Sequence, residues 1–332
     1  MNPDHTPDLY YRAIHDFHTA QLLFKALELD IFSYLDEPVS ADVAAVLTGY
    51  DKANTTLLLL ALSSCGYIIR QDELYHNTVH GAMYLSRQSS YCIAQTILFR
   101  EKMTSLQNID TCVRSGSRLK QDSQYDFAAL AEVTVPEFYA TGRDGHFIRE
   151  VEDIFTDFSG SYRMLDLGGG SGILAIEFAK HFPNSLATVF EVPAVASVSE
   201  KIISGYRMEH RVTVIAGDFN TDDIGSGYDL IVASGILNFT AGSLSDLAAK
   251  ITGALTDCGC FLLIGQDSDT DSYPPDSMIN WLSGYMNGIK PPPSQSRIDA
   301  AMQIHQLQPI RSVRSGHFRH TLYQKGGAAC SS

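Results

Sequence analysis

A short glycine-rich segment has the residue types and spacing that most directly indicate chemistry. Leu165–Gly172 contains four glycines and leads from an apolar strand into a predicted helix over 173–182. Glycines let the backbone approach a ligand closely, and the first turn of a helix offers free N–H groups. A dinucleotide fingerprint needs a third glycine where Ile173 stands, which disfavours NAD and FAD. The segment therefore predicts a ligand-binding loop of another kind.

Acidic residues follow the next two predicted strands. Glu191 stands 23 residues beyond Gly168, where a carboxylate can accept hydrogen bonds from both hydroxyls of a ribose. A capping role before Pro193 is the alternative. Asp218 and Phe219 follow the third strand, where an acid and an aromatic ring suit the amino group and the face of an adenine; a simple turn is the alternative there. These residues favour a ligand that contains adenosine.

The elements that position these residues are short apolar strands that alternate with helical segments after residue 162. Strands without polar alternation are expected where both faces of a parallel sheet are covered. Helical periodicity over about 172–182, 194–207 and 243–255 separates most of them. The pattern predicts an α/β fold with a Rossmann-like, doubly wound sheet of seven strands. The predicted strands are 164–167, 186–190, 212–216, 230–233, 261–264, 310–314 and 318–324.

The N-terminal region is predicted to be mainly helical. Apolar residues recur at helical spacing over 10–35, Ser40 is a candidate cap for a short helix, and 54–64 forms another helix. Residues 67–70 and 73–76 flank a polar turn and predict a hairpin. Three helices followed by a hairpin is the order of a winged-helix unit. We expect a winged-helix-like dimerisation domain over 1–100, a helical linker with substrate-pocket helices over 101–158, and a ligand-binding domain over 159–326.

Composition limits the classes of partner. The 332 residues carry a formal net charge of −14, which repels phosphate backbones, so we expect no nucleic acid partner. The longest apolar runs are far too short to cross a bilayer and no leader is recognised, so we expect a cytoplasmic protein without a membrane partner. Cysteine and histidine spacings do not suit a metal, so no metal is expected and the six cysteines are predicted to be reduced.

Together these motifs resemble those of the small-molecule O-methyltransferases, a family that includes caffeic acid, acetylserotonin and bacterial polyketide O-methyltransferases. The resemblance extends over nearly the whole chain. It rests on residues 26–32, 43–44, 57–62, 66–67, 75–78, 165–172, 182–183, 189–193, 217–219 and 228–230. It implies a homodimer, held by a helical N-terminal domain, whose class I catalytic domain binds S-adenosylmethionine and a small-molecule substrate.

The resemblance also implies roles for individual residues. Those expected to contact the cofactor are Asp166, Gly168 and Gly170 at the methionine part, Glu191 and Val192 at the ribose, Asp218 and Phe219 at the adenine, and Ser234 at the end of the fourth strand. Those expected to enclose the substrate are Phe138, Tyr139, Trp281, Tyr285 and Met286.

The resemblance breaks at the residue on which O-methylation depends. Family members carry a histidine after the fourth strand as the general base, and Asn238 stands at that place here. An amide cannot accept a proton at neutral pH. The glutamates that orient this histidine are also missing, because Leu322 occupies one of their places and 285–289 contains no acid. We expect Asn238 to be the catalytic-site residue that orients the acceptor, with His146 as the best substitute base.

Three functions remain open at this point. The favoured one is methyl transfer to carbon, nitrogen, sulfur or an already ionised hydroxyl of a small aromatic or apolar molecule, because such a reaction needs mostly positioning. The second is a different reaction with the same cofactor, such as cyclisation, hydroxylation or decarboxylation. The third is a non-catalytic homologue that binds a ligand.

Overall fold

The computed structural model describes residues 6–107, 109–116, 125–265, 275–315 and 318–326, except for the side chains of 275–277. The chain divides into two compact units. The first comprises Met1–Lys102 with Pro136–Thr141, and the second comprises Met103–Val135 with Gly142–Ser332. Each unit contains a hydrophobic core of its own. The three domain boundaries expected from the sequence stay a prediction.

Side-chain caps begin several helices of the first unit. Ser40 Oγ accepts a hydrogen bond from the Val43 N–H at 3.3 Å, and Asp51 Oδ1 accepts one from Asn54 at 2.9 Å. Such acceptors satisfy N–H groups that have no partner within the helix, and the cap predicted at Ser40 is confirmed. The helices are α1 (Asp8–Glu28), α2 (Ala41–Thr48), α3 (Lys52–Ser64), α4 (Val79–Tyr84), α5 (Ala94–Met103) and α8 (Val135–Ala140), the last two of which each extend one residue into the second unit.

A small antiparallel sheet completes the first unit. Its strands are β1 (Val39–Ser40), β2 (Ile68–Gln71) and β3 (Leu74–Asn77), in the order β1-β3-β2. Strands β2 and β3 pair directly across a two-residue turn, so the predicted hairpin is confirmed. Tyr75 points from β3 into a core that also contains Phe32 and Leu59. The hairpin is therefore packed on the helices.

The second unit is built on a seven-stranded sheet with the order β6-β5-β4-β7-β8-β10-β9. Strands β4 to β8 pair in parallel, whereas β10 runs antiparallel to both β8 and β9. The predicted α/β sheet is confirmed. The strands are β4 (Arg163–Leu167), β5 (Leu186–Glu191), β6 (Val212–Ala216), β7 (Tyr228–Ser234), β8 (Leu255–Gly265), β9 (Leu307–Ser315) and β10 (Phe318–Lys325).

Helices of the second unit cover the central strands, which is why those strands lack polar alternation. From Met164 to Leu167 in β4, and from Leu230 to Ala233 in β7, every residue is buried. The helices are α6 (Ile109–Ser115), α7 (Phe127–Val133), α9 (Arg143–Ile154), α10 (Ile173–His181), α11 (Pro193–Gly205), α12 (Leu244–Ala254), α13 (Pro275–Met286) and α14 (Gln295–Ile304). Within the described ranges, no helix combines the length and the apolarity that a membrane span requires.

Two details differ from the sequence predictions. Strand β8 begins at Leu255, directly after α12, and not at Phe261. Its first part is polar and irregular, with a register shift opposite β7, so apolar patterning did not reveal it. Cys258, in this exposed part, is disulfide-bonded, so the prediction of reduced thiols is wrong there. It is confirmed at Cys65, Cys92, Cys112 and Cys260.

Candidate active site

The candidate site lies at the carboxyl ends of the parallel strands in the second unit. The chain runs from β4 through β5 to β6 on one side, and then returns to place β7 on the other side of β4. Ligands of open α/β sheets bind at such a reversal, because the loops on its two sides diverge and leave a crevice. The glycine loop follows β4 at this point, and Ser234 ends β7 next to it.

The glycine loop has a conformation that requires glycine. Gly168 and Gly170 have φ angles of +67° and +55°, which L side chains rarely adopt. The Gly168 N–H donates to Phe190 O at 2.8 Å and so ties the loop to β5. A Cβ on Gly169 would lie 2.6 Å from the Asp166 carboxyl carbon. The loop therefore passes directly over Asp166 and leaves no room for a side chain at Gly169.

Glu191 fastens this loop from the end of β5. Its Oε1 accepts the Gly170 N–H at 3.0 Å, and its Oε2 accepts the Val192 N–H at 2.8 Å. Ser199 Oγ, from α11, donates to Gly170 O at 2.5 Å. Burial raises the pKa of Glu191, while the two N–H donors offset part of that rise. A carboxylate has about four acceptor positions, so two remain for the predicted ribose hydroxyls.

Asp166 lies beneath the loop rather than in the open crevice. Its side chain is fully buried, and neither carboxylate oxygen has a hydrogen-bond partner within the described residues. Burial, followed by the nearby charge of Glu191, raises the pKa of Asp166 to about 7. The Ala175 N–H opposes part of this rise without meeting hydrogen-bond geometry. Asp166 thus holds a proton over much of the pH range in which an ordinary aspartate is ionised.

The loop after β6 carries the residues predicted for adenine. Asp218 is exposed, and its Oδ1 accepts hydrogen bonds from both the backbone N–H and the side-chain amide of Asn220, each at 2.9 Å. Phe219 packs against the core of the unit. Lys250 donates to Phe219 O at 2.6 Å and fixes the loop from α12. Sequence reasoning missed Asn220, which also hydrogen-bonds to Phe239 and Ala241, 19 and 21 residues away.

The segment after β7 carries Ser234 and Asn238. Arg143, at the start of α9, donates to Ser234 Oγ at 3.4 Å. Leu237–Phe239 forms a single 3-10 turn, and the side chain of Ile236 before it fills the space beside Gly168. The amide of Asn238 is half-buried and makes no hydrogen bond to the described part of the chain. Ile236 thus lies beside the glycine loop, and two residues further on the Asn238 amide is available for hydrogen bonding.

A row of aromatic rings extends from this turn to α13. Phe239 meets Phe127 edge to face at 5.1 Å between ring centroids, Phe127 stacks with Tyr125 at 6.1 Å, and Tyr125 stacks with Trp281 at 6.2 Å. Burial raises the pKa of Tyr125. The row connects Trp281, a predicted substrate residue, to the neighbour of Asn238. Sequence reasoning missed Tyr125 and Phe127, whose only signal was a pair of aromatic residues after a polar stretch.

The other predicted substrate residues divide between the two units. Tyr285 and Met286 are half-buried at the end of α13, in the same unit as the glycine loop. Phe138 and Tyr139 lie on α8 within the first unit, where their rings meet edge to face at 5.6 Å. Phe138 is buried. Their role in enclosing the substrate stays a prediction.

Two other predictions concern histidine and metal. His146 is exposed on α9, and its Nδ1 lies 3.1 Å from an Arg149 nitrogen. A role as substitute base is therefore not supported by any contact with the turn that carries Asn238. The described residues contain no group of three or more histidine, cysteine, aspartate or glutamate side chains that could hold a metal ion.

Comparisons with known proteins agree with this geometry. Residues 139–278 match a family model described as the O-methyltransferase domain. Acetylserotonin O-methyltransferase of Macaca mulatta is 28% identical over 285 residues, which cover 79% of this chain and 81% of the relative. L-tyrosine C(3)-methyltransferase of Streptomyces lavendulae is 26% identical over 265 residues, which cover 76% of this chain and 72% of the relative.

A solved structure shows the same fold over the full length. The crystal structure of human N-acetylserotonin methyltransferase in complex with SAM superimposes with a TM-score of 0.74 at 21% identity, and the match covers 98% of this chain and 100% of that chain. The matched family domain includes the glycine loop, Glu191, the Asp218 loop and the Asn238 turn. Residues 139–278 therefore match the O-methyltransferase domain, and the chain is a methyltransferase that uses S-adenosylmethionine, as its motifs predicted.

Proposed function

We propose that this methyltransferase, whose methyl donor is S-adenosylmethionine, methylates a small aromatic molecule without a histidine base. The acceptor atom is a carbon, nitrogen, sulfur or already ionised oxygen. The Asn238 amide orients the acceptor by hydrogen bonding. The observation that carries this proposal is the position of Asn238, whose amide lies without a hydrogen-bond partner, among the described residues, at the end of the aromatic row.

The residues present fit S-adenosylmethionine. A Cβ on Gly170 would meet nothing within 4 Å, so the backbone of the glycine loop is open to close approach by a ligand at that residue. We assign Gly168 and Gly170 to the methionine part, Glu191 and Val192 to the ribose, Asp218 and Phe219 to the adenine, and Ser234 to the cofactor's side of β7. Asp166, which is fully buried, supports the loop from beneath and does not contact the ligand directly. The exposed Asp218 has both of its accepted hydrogen bonds on Oδ1, so Oδ2 suits an adenine amino group.

The groups around the acceptor side support a mechanism without a protein base. Asn238 cannot take a proton at neutral pH. Burial keeps the phenol of Tyr125 protonated, because its pKa is raised above the ordinary value of 10.0. An acceptor that needs no prior deprotonation is consistent with both facts. A relative at 26% identity is named a tyrosine C(3)-methyltransferase, and its name describes methylation at carbon.

The proposed reaction is a single displacement. Bound S-adenosylmethionine supplies a methyl group activated by its positive sulfur. The electron pair of the acceptor atom forms the new bond to that methyl carbon, and the carbon–sulfur bond breaks with its pair kept by sulfur. A proton displaced from a carbon, nitrogen or thiol acceptor passes to solvent, and an already ionised oxygen has none to lose. Asn238 and the aromatic row contribute by holding the acceptor in line.

The test uses cofactor labelled in the methyl group, a cell extract as the source of acceptors, and the purified chain. A labelled small aromatic product is expected. An unlabelled new product would indicate another reaction with the same cofactor in place of methyl transfer. The absence of any product would indicate a ligand-binding role. Both results would overturn the proposal.

Asn238 variants then test the amide. Asn238→Ala is expected to lower kcat for the identified acceptor about tenfold while the affinity for S-adenosylhomocysteine stays unchanged, because only the acceptor loses a hydrogen bond. Asn238→His is expected to add activity toward neutral phenols, which need a base. An Asn238→Ala variant with full activity would contradict the role given to the amide.

We further propose that the first unit is a winged-helix-like dimerisation domain and that the chain is a homodimer. Helix α1 exposes a row of large apolar side chains, which solvent disfavours. These residues are Leu9, Tyr10, Tyr11, Ile14 and Phe17, each 53–73% exposed. Light scattering after size-exclusion chromatography is expected to give twice the mass of one chain for the wild-type protein. The double variant Ile14→Lys/Phe17→Lys is expected to give the mass of one chain. A monomeric wild-type chain would refute this proposal.

A further inference from the structure

Asn220 joins two loops of the site, the loop after β6 and the segment after β7. Its backbone N–H and its side-chain Nδ2 both donate to Asp218 Oδ1 at 2.9 Å. Nδ2 also donates to Phe239 O at 3.2 Å, and Oδ1 accepts the Ala241 N–H at 2.8 Å. Both amide hydrogens and the amide oxygen of this side chain thus take part in hydrogen bonds. The opposite orientation of the amide would place a donor against the Ala241 N–H.

We propose that Asn220 is a positioning residue that couples cofactor binding at Asp218 to the turn that carries Asn238. This inference rests on the proposed function, in which Asp218 contacts the adenine. Asn220 occupies Oδ1 of Asp218 with two hydrogen bonds and leaves Oδ2 for the ligand. The same side chain holds the turn on both sides of Thr240. Any ligand that orders Asp218 therefore also orders the backbone next to Asn238.

Two lysines hold the two loops separately and so define what Asn220 adds. Lys250, on α12, donates to Phe219 O at 2.6 Å and to Asp222 O at 2.9 Å. Lys290 donates to Thr240 O at 2.9 Å and to Ala241 O at 3.3 Å. Each lysine touches the backbone of one loop only. Asn220 contacts both loops, and its loss leaves each loop anchored without the link between them.

The coupling has a reciprocal consequence. If ligand at Asp218 stabilises the Asn238 turn through Asn220, then loosening that link must lower ligand affinity. Removal of a hydrogen-bond partner from a charged group typically lowers affinity about tenfold. A residue with a structural role alone would change the free protein, but it would leave the ligand-induced change in the turn intact.

The experiment measures hydrogen exchange of the peptide that contains 237–241, with and without S-adenosylhomocysteine, in the full chain. In the wild-type protein, ligand is expected to slow exchange in this peptide. In Asn220→Ala, S-adenosylhomocysteine is expected to bind about tenfold more weakly by calorimetry, and saturating ligand is expected to leave exchange at 237–241 unchanged. Asn220→Asp keeps an acceptor for the Ala241 N–H, but its side chain cannot donate to Asp218 or to Phe239 O, so it is expected to lose ligand coupling too.

Asn184→Ala is the matched control. The side-chain amide of Asn184 also donates to a backbone oxygen, Ser159 O at 2.9 Å. Asn184 directly precedes β5, however, so it lies at the amino ends of the parallel strands, away from the site. It is expected to bind and to respond as the wild-type chain does. Wild-type affinity together with a wild-type exchange response in both Asn220 variants would overturn the coupling. Failure of the wild-type chain to bind S-adenosylhomocysteine would instead refute the cofactor assignment itself, and the coupling with it.

Discussion

The two sides of the candidate site are held by different kinds of interaction. On the cofactor side, hydrogen bonds close the glycine loop within the protein itself, with Glu191 accepting from Gly170 and Val192 and with Ser199 donating to Gly170. On the acceptor side, stacked aromatic rings lead to Asn238, whose amide has no hydrogen-bond partner in the described chain.

This difference explains how one half of the site can stay constant while the other changes. Hydrogen bonds in a buried loop require particular groups at particular distances, and a missing partner is costly. Ring packing tolerates other apolar side chains of similar volume. A methyltransferase built in this way can keep its cofactor and exchange its acceptor, and the proposed replacement of the family histidine by Asn238 would be an instance of that exchange.

The largest effect on cofactor binding is expected from a side chain added at Gly169, where the glycine loop has no space for one. Gly169→Ala places a Cβ 2.6 Å from the Asp166 carboxyl and 3.0 Å from Val189 Cγ1. Calorimetry is expected to detect no binding of S-adenosylmethionine. The control is Gly205→Ala, because a Cβ there meets nothing within 4 Å. Binding by the Gly169 variant at wild-type affinity would show that the loop is not the rigid half of the site.

The next effect concerns the proton on Asp166. Its folded-state pKa is raised to about 7. The protonated form is therefore favoured by folding, and the free energy of unfolding is expected to fall as pH rises from about 4 to about 7, by at most about 4 kcal/mol. Urea unfolding of the wild-type chain and of Asp166→Asn over this range measures the effect as a difference.

Comparing the two unfolding free energies at each pH cancels the contribution of the other carboxylates, which both proteins share. The Asp166→Asn variant cannot lose a proton at this position, so its stability relative to the wild-type chain is expected to increase with pH. Asp257→Asn, an exposed change on β8, is the control and is expected to follow the wild-type profile. Parallel profiles for Asp166→Asn and the wild-type chain would mean that Asp166 titrates in the folded protein as it does in the unfolded one.

Glu191→Gln tests whether a charge is needed to fasten the loop. The amide offers one acceptor oxygen, so its NH₂ group must face either the Gly170 or the Val192 N–H. Affinity for S-adenosylmethionine, measured by calorimetry, is expected to fall about tenfold to a hundredfold. Glu209→Gln changes an exposed glutamate and is expected to bind normally. Unchanged affinity in Glu191→Gln would remove Glu191 from the cofactor side.

The smallest effect is expected in the aromatic row. Phe127→Leu removes ring contacts with Phe239 and Tyr125, at a cost in the free energy of unfolding of about 1 kcal/mol. Trp281 is the single tryptophan of the chain, and it stacks on Tyr125, so its emission reports on the row. Phe158→Leu also removes ring contacts but lies elsewhere, and it is expected to leave that emission unchanged. A Trp281 spectrum unaffected by Phe127→Leu would show that the row is not one packed unit.

The sequence was most informative where the interactions are local. The strand, glycine loop and helix around Leu165–Gly172 follow from apolar runs and backbone freedom, and so does the cap at Ser40. Strand β8 shows the opposite case, because its first residues are polar and pair irregularly with β7. Asn220, Tyr125 and Phe127 escaped notice because the contacts that link them to the rest of the site are with residues distant in sequence, and local patterns do not encode such contacts.

The sequence by itself determined the sheet class, the methyltransferase activity and the cofactor, since each depends on residue types and short spacings, whereas the replacement of the family histidine by Asn238 stays a prediction. Only the tertiary structure decided that Asp166 lies buried beneath the loop, that Glu191 fastens it, that a row of rings leads to the acceptor turn, and that Asn220 joins the two sides. The physical reason is that burial and hydrogen-bond partnership arise when parallel strands bring distant loops to one edge of the sheet.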